Sequence, residues 1–203
     1  DGKSGKVLWR VERPTEAIRE SPDAYTTPVP VKAGNATEIV VSGGDIVTAP
    51  DPATGKELWR SRGLNPENNP FYRIVASPLV HGNVVFSPSR VKPLLAIRAG
   101  GRGDVTDSHR LWSFDRGPAV PTPVTDGTLL YVIDDRGVVH VLDVKTGAVV
   151  YGPERLRPGR HVATHLIFLN QVGRVGGDDT VLARQLGDFV LQFLALAAQT
   201  NFI

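Results

Sequence analysis

An all-β fold of repeated four-stranded units is the architecture that the sequence predicts, and three observations lead to it. A phrase that begins with Asp and ends with a large aromatic residue occurs four times. Short alternating apolar segments flank each copy, and turn signals rich in Gly and Asn separate them. A Thr-Pro or Ser-Pro phrase recurs in the first segment of each full set. Self-similarity at such a spacing is typical of repeat architectures.

The repeated phrase is clearest at residues 51–59, Asp-Pro-Ala-Thr-Gly-Lys-Glu-Leu-Trp. Further copies lie at 1–9, at 143–151 and, in degenerate form, at 104–112. Asp-x-x-Thr-Gly predicts a tight turn, because Asp and Thr side chains bond nearby amides and Gly accepts a positive φ. The following Lys-x-Leu-Trp alternates polar and apolar residues, as a half-buried strand does. Each copy therefore predicts the turn and the last strand of one unit.

Four short strands per unit, with turns between them, are typical of the blades of a β-propeller. The first strands are predicted to begin at Tyr25, Tyr72 and Val120. Pro30 falls within the first of these strands and indicates a free side or a bulge there. We predict one domain over 1–203, a partial propeller of about four blades. Its predicted parts are the end of a blade at 1–12, blades at 24–60, 72–115 and 120–151, and a degenerate blade at 160–203.

Composition excludes several classes of function. Lys and Arg total 23 against 21 acidic residues, a formal net charge of +2, which gives no case for nucleic-acid binding. The absence of Cys excludes disulfides and thiolate metal sites. No run of 18 apolar residues is present, so no membrane span is predicted. The chain opens on the turn of a repeat, so we expect missing blades of the same polypeptide, or protein partners, to cover the open blade faces.

The phrase Ala49-x-Asp51-x-x-Thr54-Gly55-Lys56-x-x-Trp59 resembles the tryptophan-docking repeat of the pyrroloquinoline-quinone-like β-propeller family. That family includes quinoprotein alcohol dehydrogenases, an outer-membrane assembly lipoprotein and many uncharacterised bacterial proteins, and the chain most resembles this last branch. In the family, the aromatic stacks on a peptide plane in a turn of the adjoining blade. In the third copy, Ser108 stands where the family has Gly. The resemblance implies docking aromatics at Trp9, Trp59, Trp112 and Tyr151, with backbone sites at Gly5, Gly55 and Gly147.

The resemblance implies two candidate functions, a non-enzymatic scaffold and a quinone-binding oxidoreductase. Quinoprotein dehydrogenases carry pyrroloquinoline quinone (PQQ) with Ca²⁺, a catalytic Asp, a vicinal Cys pair and a Trp floor under the quinone. This chain has no Cys, and its three Trp all occupy docking positions. We therefore expect a non-enzymatic scaffold or protein-interaction module, periplasmic or otherwise extracytoplasmic, with no cofactor. The alternative is a quinone-binding oxidoreductase, or its inactive relative, holding PQQ with Ca²⁺.

No catalytic or metal-ligating residue stands out from the sequence. The connector after the first full blade is unusual, because Asn65, Asn68 and Asn69 fall within five residues of one another. Loops on a rigid scaffold commonly carry binding function, so these residues are a candidate binding loop. The competing interpretation is that the Asn side chains satisfy the backbone of their own turn.

Overall fold

The computed structural model describes residues 1–155, which form a β-propeller segment of three blades without an α-helix. Each blade is a sheet of four antiparallel strands in chain order. Within these residues no helix is long and apolar enough to cross a membrane. The strands are β1 (Val29–Ala33), β2 (Ala36–Gly43), β3 (Ile46–Pro50), β4 (Glu57–Arg62), β5 (Leu79–His81), β6 (Val84–Pro88), β7 (Leu94–Arg98), β8 (Gly103–Asp104), β9 (Arg110–Phe114), β10 (Val124–Thr125), β11 (Leu129–Ile133), β12 (Val138–Asp143) and β13 (Val149–Arg155).

Blade 1 consists of β1 to β4, blade 2 of β5, β6, β7 and β9, and blade 3 of β10 to β13. In each blade the first strand lies at one edge of the sheet. Pro30 in β1 pairs with Ile39 of β2, and β1 has no second partner among the described strands. An edge strand is where proline is tolerated, because its missing N–H interrupts no ladder on the free side.

The first strands begin later than the sequence predicted. They start at Val29, Leu79 and Val124, each directly after the proline of a Thr/Ser-Pro phrase, instead of at Tyr25, Tyr72 and Val120. The residues ahead of each proline make hydrogen bonds to neighbouring blades, as described below, so they do not join their own ladder. These starting points were wrong for that reason.

The strand predicted over residues 6–12 is also wrong, because this segment forms no ladder with any described strand. Val7 and Leu8 are exposed, whereas Trp9 packs on blade 1. A strand requires a partner, and the residues that the structure describes place none beside this segment. The degenerate blade predicted at 160–203 lies outside the described residues.

The core lies between the flat faces of successive blades. Alternate residues of each strand point to opposite faces, so one blade supplies apolar side chains to two interfaces. Burial of these side chains is the main stabilising term at each interface. The blade 1–blade 2 interface contains Val40, Val47, Trp59, Val85, Leu95 and Ile97, and the blade 2–blade 3 interface contains Phe86, Leu94, Trp112, Leu130, Val132 and Leu142.

The copy of the repeated phrase at 104–112 does not form the turn between β7 and β9. Ala96 pairs with Trp112 as Ala49 pairs with Trp59, which places Arg98 at the position of Asp51. Fourteen positions separate Arg98 from Trp112, against eight in the other copies. The extra residues form a loop that extends away from blade 2. Within this loop, β8 pairs in parallel with β4 and so joins the sheet of blade 1. The interpretation of Asp104 as the start of this turn is therefore corrected.

Candidate functional site: blade docking and the connector face

The turn that opens each regular copy of the phrase is fixed by one aspartate. Asp51 Oδ1 accepts hydrogen bonds from the amides of Ala53 and Thr54, each at 2.9 Å, and from Thr54 Oγ1 at 3.1 Å. Gly55 N donates to the carbonyl oxygen of Asp51 at 2.8 Å. The hydrogen bonds from Thr54 are the main reason that the pKa of Asp51 is lowered. The turn thus presents a glycine of positive φ, 74°, to the preceding unit.

Two docking aromatics meet the glycine of the next turn. An added Cβ would lie 2.4 Å from Trp9 Cε3 at Gly55 and 2.6 Å from Trp112 Cδ2 at Gly147. Trp9 Nε1 donates to the carbonyl oxygen of Pro52 at 2.9 Å, the residue after the turn aspartate. Each indole therefore lies against a glycine that no larger residue replaces without displacement of the ring.

The second of these pairs repeats the polar contact of the first. Trp112 Nε1 donates to the carbonyl oxygen of Val144 at 3.0 Å, and Val144 again follows the turn aspartate. Both contacts join one unit to its successor, and they satisfy an indole N–H that is part-buried in Trp9 and buried in Trp112. Such a group is costly to leave unpaired.

Trp59 is held differently. Its side chain is fully buried, and Nε1 donates to Glu38 Oε2 of its own blade at 2.7 Å. Gly100 N also donates to Glu38 Oε2 at 3.3 Å, and Arg102 lies 3.5 Å from Oε1. The loop inserted between β7 and β9 supplies both groups. Among the glycines of residues 1–155, none lies against Trp59 as Gly55 lies against Trp9.

Tyr151 and Gly5 make no such docking contact within residues 1–155. Tyr151 lies in β13 opposite Val141 and is half-buried. Gly5 closes the turn that begins at Asp1, is exposed, and has no atom within 4 Å of an added Cβ.

A chain of hydroxyl contacts also joins the blades, and the sequence interpretation missed its role. Thr27 N donates to Ser77 Oγ at 2.9 Å, and Ser77 N donates to Thr122 Oγ1 at 3.1 Å. These residues open the Thr/Ser-Pro phrases of blades 1, 2 and 3. A second contact, 2.7 Å between Ser42 Oγ and Ser87 Oγ, is fully buried. The recurrence of a hydroxyl residue before proline was the signal for the first set.

The turns between second and third strands lie on the same side of the propeller as the connectors between blades, a consequence of strand alternation. We call this side the connector face. It carries the turns at 44–45, 89–93 and 134–137 and the connectors at 63–78 and 115–123.

The candidate binding loop lies on this face, and much of it is engaged internally. Asn65 is 5% exposed, and its Nδ2 donates to Ser21 Oγ, Asp45 Oδ2 and the carbonyl oxygen of Asn69 at 3.2, 3.0 and 2.9 Å. Asn69 N donates back to Asn65 Oδ1 at 2.9 Å. Asn68 is exposed, with a positive φ of 50°. Of the three asparagines, Asn68 is the one that is exposed to solvent.

A cleft of about 490 Å³ opens on the connector face between blades 2 and 3. Its walls are the β6–β7 turn at 90–92, the connector at 115–119 and the β11–β12 turn at 134–136. Val132 and His140 reach it from β11 and β12. Its volume lies within the range of ordinary ligand pockets. Sequence analysis did not predict this cleft, because its three walls are distant from one another in the chain.

His140 is 5% exposed, and its ring meets Phe114 edge-on with centroids 5.3 Å apart. Burial is the main cause that lowers the pKa of His140. The charge of Arg116 lowers it further, and that of Asp134 opposes the shift. The neutral imidazole therefore offers one donor and one acceptor at this point of the cleft.

Comparison with known proteins gives a family and several structural neighbours. Residues 1–172 match the family model of the outer membrane protein assembly factor BamB. BamB from Moraxella catarrhalis is 18% identical with a TM-score of 0.46, over 65% of this chain and 37% of that chain. A quinohemoprotein alcohol dehydrogenase from Pseudomonas putida HK5 is 17% identical with a TM-score of 0.46, over 66% and 21%. The computationally designed Ika4 protein is 15% identical with a TM-score of 0.52, over 78% and 85%. No curated protein sequence matches the chain.

Proposed function

The chain belongs to the family of the outer membrane protein assembly factor BamB, and from this premise we propose that it is a non-enzymatic scaffold for protein partners outside the cytoplasm. It spans little more than a third of the BamB structure that it matches, 37%. The blades hold connector loops in fixed positions, and these loops meet the partner. This is the way in which rigid folds commonly present binding residues.

The observation that carries the proposal is the use of the indoles. The N–H groups of Trp9, Trp59 and Trp112 donate to Pro52, Glu38 and Val144, respectively. The three indoles of the chain are thus engaged in contacts within and between the blades, which supports a structural use of them. This use of the repeated aromatic residues favours a rigid scaffold that presents loops over a catalytic site.

The alternative function is binding of PQQ with Ca²⁺. Within residues 1–155 no group of three His, Cys, Asp or Glu residues is placed to hold a metal ion. A visible-absorption titration with PQQ and Ca²⁺ tests the choice. We expect weak binding of PQQ that does not saturate. Tight stoichiometric binding would contradict the scaffold proposal and favour a quinone-binding oxidoreductase or its inactive relative.

Site-specific photocrosslinking tests the proposed interaction face in the native host. A photoreactive amino acid replaces Asn68 on the connector face or Asn35 on the opposite face; both side chains are exposed. We expect Asn68 to yield one discrete protein adduct that Asn35 does not yield. Equal labelling from both positions, or none from Asn68, would contradict the proposal. Fractionation of the same cells tests the extracytoplasmic location.

A further inference from the structure

The cleft between blades 2 and 3 has an unusual balance of charge. Four of its lining residues are cationic, Arg90, Lys92, Arg116 and Arg136, and three are acidic, Asp115, Asp134 and Asp135. Two of these seven charges lie on the β6–β7 turn, two on the connector at 115–119 and three on the β11–β12 turn. Charges that line a concave surface act more strongly than those on an open one.

Two of the three carboxylates in the cleft, Asp134 and Asp135, have hydrogen-bond partners in the protein. Asp134 Oδ1 accepts from the amides of Arg136 and Val138 at 2.8 and 3.0 Å, and Asp134 Oδ2 lies 3.6 Å from Arg136 Nε. Asp135 Oδ1 accepts from Val120 N at 3.1 Å. These hydrogen bonds hold the β11–β12 turn and the adjoining connector in place.

The cations of the cleft differ in whether they have an ion-pair partner. Lys92 Nζ lies 2.9 Å from Glu67 Oε1, outside the cleft lining. Arg90 and Arg116 make no hydrogen bond or ion pair with any residue of 1–155. Asp115 likewise has none, although its charge acts on Lys92. Arg90 and Arg116 are therefore the two cations of the cleft whose guanidinium groups have no hydrogen-bonding or ion-pair partner within residues 1–155.

An equivalent arginine in the unit ahead of blade 1 shows which contacts this position makes when it joins one blade to the next. Arg13 and Arg116 each follow the aromatic of their unit by four positions. Arg13 Nε donates to Thr48 Oγ1 at 2.9 Å, and its Nη2 donates to the carbonyl oxygen of Gly43 at 3.3 Å. His140 holds the place of Thr48 in blade 3, one position before the partner of the blade's aromatic. Arg116 makes no such contacts, and the cleft lies in their place.

We propose that this cleft binds an organic carboxylate through the guanidinium groups of Arg90 and Arg116. A guanidinium pairs with a carboxylate through two parallel hydrogen bonds, a stronger contact than a lysine gives. Val91, Ala119 and Val132 provide apolar surface for a short hydrocarbon chain, and His140 offers one further polar contact. The inference goes beyond the scaffold function and stands independently of the partner on the connector face.

Isothermal titration of the full chain tests the site with three probes: glutarate, a capped tetraglutamate peptide and inorganic phosphate. We expect saturable, one-to-one binding of a carboxylate probe. Arg90→Gln and Arg116→Gln should each weaken it about 10- to 100-fold, the loss that follows from one charged hydrogen-bond pair. Arg116→Lys should keep part of the affinity, because it keeps the charge and loses the paired geometry.

Arg10→Gln is the matched control, because Arg10 is also an exposed arginine without a hydrogen bond or ion pair and lies outside the cleft. It should bind as the wild type does, and unchanged melting temperatures should show that all variants are folded. Glutarate binding identifies a free small molecule as the source of the carboxylate, and binding of the peptide alone identifies an acidic side chain. Phosphate binding as tight as either carboxylate, equal losses in Arg10→Gln, or no binding of either carboxylate would overturn the proposal.

Discussion

Glu38 accepts the indole N–H of Trp59 at 2.7 Å, although its carboxylate is only 1% exposed. In the regular units the aromatic donates to a backbone carbonyl of the following turn, as Trp112 donates to Val144. At the blade 1–blade 2 interface that turn is replaced by a longer loop. The buried carboxylate of Glu38 is the acceptor instead. Gly100 N, in the longer loop, donates a second hydrogen bond to the same oxygen at 3.3 Å.

Removal of this carboxylate should destabilise the protein more than removal of its charge. Glu38→Ala leaves the buried N–H of Trp59 without an acceptor, and we expect the free energy of unfolding to fall by about 1–3 kcal/mol. Glu38→Gln keeps an acceptor oxygen and should lose less. Chemical denaturation measures both, with Glu12→Ala, at an exposed position, as the control. Equal losses for Ala and Gln would show that the charge, and not the hydrogen bond, matters here.

Gly147 should tolerate no side chain, for reasons of contact as well as conformation. Its φ is 70°, and an added Cβ would lie 2.6 Å from Trp112. We expect Gly147→Ala to cost about 2–5 kcal/mol, from the strained backbone and from overpacking together. Gly34→Ala is the control, because Gly34 has a φ of 61° and open space around it. It should cost about 1–2 kcal/mol. If the two variants unfold at the same denaturant concentration, the indole contact contributes nothing.

The buried hydroxyl pair between blades 1 and 2 should show strong coupling. Ser42 Oγ and Ser87 Oγ are 2.7 Å apart and both residues are inaccessible to solvent. Each single Ala substitution strands the other hydroxyl, at a cost of about 1–3 kcal/mol. The double variant removes both polar groups and should be less destabilised than the sum of the single variants. A double-mutant cycle in urea measures this coupling, and strict additivity would show that the hydroxyls do not depend on each other.

His140 should make stability depend on pH. Its pKa in the folded protein is lowered, mainly by burial, so the unfolded chain takes up the proton more readily. The stability due to the neutral ring is complete above the ordinary His pKa, near 6.5, and is lost as the pH falls through that value toward the folded pKa. Arg116 adds to the effect and Asp134 opposes it.

The measurement is the difference in unfolding free energy between wild type and His140→Leu from pH 8 to pH 5. This difference cancels the titration of the other histidines. We expect it to be constant above neutral pH and to move in favour of the Leu variant as the pH falls below about 6.5. Parallel curves over the whole range would show that His140 titrates alike in both states.

The repeat phrase predicted the all-β class and the propeller because its chemistry is local. Asp51 and Thr54 fix their own turn, and the aromatic eight positions after the aspartate marks the last strand in blades 1 and 3. The starts of the first strands were not predictable in this way. The amides of Thr27 and Ser77 bind hydroxyls of the next blade, and no local pattern shows which of two partners an amide will choose.

The candidate sites show the same division. Asn65 was predicted from composition as a candidate binding residue. Its side-chain amide instead donates hydrogen bonds to Ser21 and Asp45, which lie 44 and 20 positions away. The cleft, by contrast, assembles from three segments, none of which carries a motif. Whether Arg116 is free or engaged depends on what the facing strand of the next blade presents, and the sequence alone does not pair those positions.

By itself the sequence determined the period, the turns and the aromatic at the end of each unit, because these depend on neighbours within a few positions along the chain. Only the tertiary structure decided what each aromatic touches: a glycine for Trp9 and Trp112, a carboxylate for Trp59. It also decided which charges remain unpaired. The reason is that these contacts cross from one blade to the next, where the partner is fixed by the packing of whole sheets.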